Sequence, residues 1–313
     1  MLVNKGVKIS AHKLNLPLRD LSQRTASVNR FDTATSGAVI RYSRAKNHTD
    51  YVTDQISITD QPTFLSCSDL IDKIIYALDN SQQLSVVSVG ATEAFVMAQY
   101  TIYPEEEFMN HGEAYNANLG MQNGFFHRGV RFPNIEARNE AVSAVRQADI
   151  VGYNTIVDDA RKLTEQVFSV YNIQPQYIFE ANLRRVLMFS QGDKFEQMLK
   201  NRKILLIGSL AAEAEEALNR KLKERLNFDI VGTISILEYE ELPRVRVQVS
   251  KYDFDLCFIS AGVNALILAP YIANMYGKVA IDIGWGMQSF ITDQIVTDAW
   301  IDEIIGLERL MKM

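Results

Sequence analysis

The sequence predicts an α/β protein: a Rossmann-like, doubly wound, mostly parallel sheet flanked by helices. Three observations carry this prediction. Short β-branched runs recur along the chain, at LSVVSVG (84–90), DIVGYN (149–154), KILLIG (203–208), FDLCFIS (254–260) and KVAIDIG (278–284). Their apolar residues are consecutive rather than alternate, as in strands buried on both faces. Segments with helical apolar spacing separate the runs, and such alternation produces parallel strands joined by crossovers.

The elements follow in order. Leu70, Ile71, Ile74, Ile75 and Leu78 recur at helical spacing, so 69–80 is an amphipathic helix. The strand 84–90 ends at Gly90 and runs into a helix over 91–100. Residues 101–148 are loop-rich up to a helix at 136–148. The strand 149–154 precedes a helix marked by Leu163, Val167, Phe168 and Tyr171, with Asp158 or Asp159 as its N-cap. Residues 176–185 read as a strand running into a turn. Strand 203–208 leads to a helix at 209–226, acidic early and basic late, as the macrodipole favours. Strand 228–234, a helical or loop segment at 238–252, and strand 254–260 come next. The turn Ala261–Asn264 opens an apolar helix expected to break or bend at Pro270. After the strand 278–284, a last amphipathic helix carries Trp300, Ile301, Ile304, Ile305 and Leu310.

Residues 1–62 differ, being polar and weakly periodic. They read as an N-terminal extension or a small accessory element that could serve a homo-oligomer. Residues 63–313 carry the alternating strands and helices and are expected to form one Rossmann-like domain.

Composition excludes several classes. The net charge of −6 makes the chain a poor general binder of nucleic acid or anionic membrane. Its two cysteines, Cys67 and Cys257, show no zinc-ligand spacing. No apolar run approaches membrane-spanning length and the start lacks a signal-peptide core, which predicts a cytoplasmic protein. There is no GxxxxGK[ST] loop, HExxH, GxSxG elbow or GxGxxG after a strand.

In a doubly wound sheet, ligands bind beyond the carboxyl ends of strands. The turn Gly90-Ala91-Thr92-Glu93 is the first such place. Glu93 can hold a divalent cation that bridges a diphosphate, or merely favour the helix N-terminus by its charge. His127, Arg128 and Arg131 in a glycine-containing loop can clamp phosphate oxygens, or pair with nearby acids. Asn154, Asn182 and Arg184 follow two strands. Ser260, Gly262 and Asn264 form a small-residue turn at a helix N-terminus, able to offer backbone amides to an anion. Asp282 can hydrogen-bond a ribose or sugar hydroxyl, act as an acceptor base, or cap the adjacent turn, and Gly284 in that turn is a substrate-binding candidate. Trp285 beside it is either a sugar platform or core packing, and Glu180 is a second candidate base.

The run SVGATEAFVMAQ (88–99) is similar to the strand–turn–helix of the GT-D fold glycosyltransferases. The similarity continues in KILLIG and its helix, in FDLCFISAGVNALILA, and in GKVAIDIGWGMQSF, in the same order. It covers about 66–291. In that family a Gly-Asp-x-Glu element supplies a DxE site for metal and nucleotide sugar. Here the position of the Asp is Ala91, and Glu93 alone remains.

The resemblance implies transfer of a hexose from a nucleotide-diphosphate sugar, a UDP-sugar, to a saccharide or glycoprotein acceptor. A divalent cation, Mn2+ or Mg2+, would assist through Glu93, with Ala91 impairing it. Asp282 or Glu180 would be the base. The rival is a catalytically silent nucleotide-sugar-binding or assembly protein. A nicotinamide-dependent oxidoreductase loses its support with the missing glycine fingerprint.

Overall fold

The computed structural model describes residues 61–119 and 128–313. Its strands are β1 (Thr63–Phe64), β2 (Leu84–Val89), β3 (Ile150–Tyr153), β4 (Tyr177–Glu180), β5 (Lys203–Gly208), β6 (Asp229–Ile234), β7 (Leu256–Ser260) and β8 (Val279–Asp282). They form one eight-stranded sheet in the order β1-β4-β3-β2-β8-β7-β5-β6. Every pairing is parallel. The short strand β1, which adds to the β4 edge, is new relative to the sequence reading.

Both faces of the sheet are covered, which is why its strands read as unbroken apolar runs. On one face Val87 and Val89 pack with helix α2 (Ala91–Ala98) and the helices Ile135–Gln147 and Val263–Tyr276. On the other, Val86 packs with helix α1 (Cys67–Asp79) and the helices Gly192–Leu199 and Gly286–Thr292. Helix α1 starts with a reciprocal cap: Ser66 Oγ accepts from the Asp69 amide, and Asp69 Oδ2 accepts from the Ser66 amide, each over 3.1 Å. Gly152 of β3 lies opposite Phe179 of β4, and a Cβ there would stand 2.4 Å from the Phe179 ring. The glycine makes room for that aromatic.

The topology positions the site. Strands β2 and β8 are neighbours at the middle of the sheet. From β2 the chain moves outward to β3, whereas β8 is reached from β7 on the opposite side. The helices that follow β2 and β8 lie on opposite faces. In doubly wound sheets such a switch in strand order is where ligands bind at the carboxyl edge.

Four local expectations are corrected. The N-cap of the helix Asp158–Tyr171 is Val157, because the Asp158 carboxylate turns to accept from Arg161 Nη2 over 3.1 Å. Pro270 lies inside the helix Val263–Tyr276, so the helix is not broken there. Burial of Val263–Pro270, Ile272 and Ala273 holds the helix where propensity would break it. The last helix is two short turns, Ile301–Ile305 and Leu307–Lys312, divided by Gly306 at φ 83. Residues 101–148 also contain the short helices Glu105–Met109 and Gly112–Leu119.

Apart from Gln61 and Pro62, the expectations for 1–62 lie outside the described residues, as does His127. No described helix is long and apolar enough to cross a membrane.

Candidate functional site

The site is built from two turns. Where β2 enters α2, the Gly90 amide donates to Glu93 Oε2 over 3.0 Å. A Cβ on Gly90 would lie 2.6 Å from that oxygen, so glycine lets Glu93 fold back over the helix start. Glu93 is thereby buried, at 8% exposure. Beside it, Thr92 Oγ1 donates to Glu113 Oε2 over 3.0 Å, and Arg128 Nε lies 3.9 Å from the same oxygen.

The second turn follows β8. Asp282 is 3% exposed. Its Oδ2 accepts from Arg184 Nη1 over 2.5 Å, and its Oδ1 accepts from the Gly284 amide over 3.0 Å. Arg184 arrives from the turn after β4 and lies over Gly284: a Cβ there would stand 2.8 Å from Arg184 Cζ. Gly284 also has φ 43, the left-handed region that glycine adopts without strain. Nη2 of Arg184 extends to the first turn, 3.9 Å from where a Gly90 Cβ would be. Arg184 therefore bridges the tips of β2 and β8. Trp285 is half-buried at the start of the helix Gly286–Thr292.

Burial pushes the Glu93 carboxyl above the usual carboxylate range; Arg184 and Arg128 pull it down and Asp282 pushes it further up. Burial also raises Asp282, against the pull of Arg184 and the amides of Gly284 and Ser88. Two acids and two arginines thus share one small volume, and each acid holds its proton more tightly than in water.

Other sequence candidates have different employment. Glu180 is fully buried and accepts from the Thr155 amide and Oγ1, both over 2.7 Å, and from the Asn182 amide and Nδ2, over 3.1 and 2.7 Å. A carboxylate this saturated ties the ends of β3 and β4 together and is no acceptor base. Asn182 Nδ2 also donates to Asn154 Oδ1 over 3.2 Å, so both asparagines serve the same knot. Arg131 donates to Glu238 from Nε, over 2.8 Å, and its Nη2 is 2.7 Å from the same oxygen. That fork is spent on an ion pair, not on a phosphate.

The turn after β7 is corrected too. The Val263 amide donates to the Arg128 carbonyl over 3.3 Å, and Asn264 Nδ2 donates to the Gly129 carbonyl over 2.9 Å. Peptide oxygens of the chain hold the donors expected to meet an anion. Gly262, at φ 54, permits the approach, since a Cβ would lie 2.4 Å from the Arg128 carbonyl oxygen. Ser260 is half-buried at the strand end.

The sequence reading did not find Glu113, which sits in a short helix and meets Thr92 only through folding. Arg185 turns away, donating to the Val296 carbonyl over 3.2 Å and to Asp298 over 2.7 Å.

A divalent cation does not fit these residues. Mg2+ wants octahedral oxygen coordination. Ala91 offers a methyl, Glu93 has one oxygen on the Gly90 amide, and both Asp282 oxygens are taken. Among the described residues no group of three or more His, Cys, Asp or Glu is placed to hold a metal.

No curated protein matches the chain. One solved structure, described as a highly conserved domain of unknown function with a distinct glycosyltransferase fold, is similar at TM-score 0.47 and 12% identity, covering 76% of this chain and 86% of that one. A family model for the GT-D fold-like domain matches residues 65–290, the sheet from β2 to β8 with its helices. By that match across most of its length, the chain belongs to the GT-D fold-like family.

Proposed function

We propose that the chain binds a nucleotide-diphosphate sugar, a UDP-sugar, at the carboxyl edge of β2 and β8 and transfers its hexose to a saccharide or glycoprotein acceptor. The observation that carries this is the meeting of Arg184, Arg128, Glu93 and Asp282 at the carboxyl edge, where the strand order switches. The donor class follows from the family resemblance.

Transfer needs a group that takes up the charge growing on the leaving diphosphate. Arg184 and Arg128 supply it. It also needs a base for the acceptor hydroxyl. Asp282 is the candidate, because burial makes it a stronger base than an exposed aspartate.

One observation favours a second reading, a silent nucleotide-sugar-binding or assembly protein: Ala91 stands where the family resemblance expects an acid. The test is turnover of a UDP-hexose panel by the native chain and by Ala91→Asp, with Mn2+ and with chelator, beside calorimetry with uridine diphosphate. Turnover by either chain supports transfer. Binding without turnover in both supports the silent reading. Absence of binding by every nucleotide sugar removes both.

A further inference from the structure

The same site carries an inference about how a diphosphate is held, and it rests on the reading that the site takes a nucleotide-diphosphate donor. We infer that the Arg184 guanidinium, with Arg128, takes the place of a bound divalent cation, so that a nucleoside diphosphate associates without metal.

A cation at this edge would need several oxygens, and the turns supply a methyl at Ala91 and carboxylate oxygens already engaged by Gly90, Gly284 and Arg184. A fixed positive charge is present instead. The side chain of Arg184 is only 15% exposed, so its charge acts with little screening by water.

The surroundings fit that charge closely. Gly284 has no Cβ, and one would collide with Arg184 Cζ at 2.8 Å. Asp282 takes Nη1 and so holds the guanidinium in place. Nε is buried and, among the described residues, has no hydrogen-bond partner. Nη2 lies against the Gly90 turn, where α2 begins. Nε and Nη2 form one edge of the guanidinium, the edge that grips two oxygens of a phosphate at once.

The experiment is calorimetry of uridine diphosphate with the full chain, in chelator and in Mn2+. The expected result is the same affinity within about two-fold in both, and Arg184→Ala weaker by roughly ten- to a hundred-fold, as for losing hydrogen bonds to a charged group. Arg184→Lys, which keeps charge and loses the fork, should fall between. Thermal melting of each variant separates lost binding from lost folding, and the chelator arm needs no variant. Binding that disappears in chelator and returns with Mn2+ overturns the inference and leaves the proposed function standing. Absence of binding in both conditions overturns the proposed function itself.

Discussion

Arg184 Nη1 lies 2.5 Å from Asp282 Oδ2, joining a turn that follows β4 to the end of β8. The aspartate is almost fully buried, with 4% of its side chain exposed. Breaking such a pair leaves an uncompensated charge. Asp282→Asn should therefore cost on the order of 3 kcal/mol in urea unfolding at neutral pH. Adding Arg184→Leu to it should recover part of the loss, because replacing both partners costs less than orphaning one. A double mutant no more stable than Asp282→Asn alone would argue against that coupling.

Glu180 gives a contrasting expectation. It holds two donors of Thr155 and two of Asn182. Glu180→Ala leaves the Thr155 amide and hydroxyl and the Asn182 amide without this partner, at about 1–3 kcal/mol for each orphaned group, less than additively. The variant should unfold at markedly lower denaturant than the native chain. If instead it folded normally and lost only turnover, Glu180 would regain its place as a catalytic base.

Glu93 sets a pH dependence. Its carboxyl is raised in the folded chain, chiefly by burial. Between the ordinary carboxylate pKa, about 4.3 for Glu, and the raised value, the folded state binds more protons than the unfolded one. Stability from this group therefore falls as pH rises through that window. Glu93→Gln removes the penalty and keeps an oxygen for the Gly90 amide. Its melting temperature should exceed that of the native chain at neutral pH, and the difference should shrink towards pH 4. A difference independent of pH would contradict the raised carboxyl.

Gly284 is constrained by both its backbone and its neighbour. Alanine would sit at φ 43 and meet Arg184 Cζ at 2.8 Å. The strained backbone alone costs on the order of 1–3 kcal/mol. Gly284→Ala should also weaken uridine diphosphate, because the guanidinium must move. Melting curves and calorimetry on one preparation report the two effects separately.

How far the sequence leads depends on the range of the interactions. The α1 residues Leu70, Ile71, Ile74, Ile75 and Leu78 are all buried, as their spacing predicts, because one face of one helix decides it. The strands were equally legible from their unbroken apolar runs. The Gly90–Glu93 turn was legible because both residues belong to one strand end and helix start. What could not be read was pairing across the chain. Glu180 and Asp282 look alike as acids at strand ends. Their roles part because Thr155 and Asn182 fold onto one, and a single guanidinium onto the other. Arg184 and Arg185 are adjacent in sequence, yet the turn aims one at Asp282 and its neighbour at Asp298. The run at Pro270 misled because local propensity gave way to burial.

The peptide seated on the Val263 amide and the Asn264 side chain has a spatial consequence. It closes the tip of β7 with main chain, beside the turns that follow β2 and β8. Arg128 supplies a carbonyl for that closure and a side chain that faces Glu93. One residue thus serves both the closed tip of β7 and the charge around Glu93.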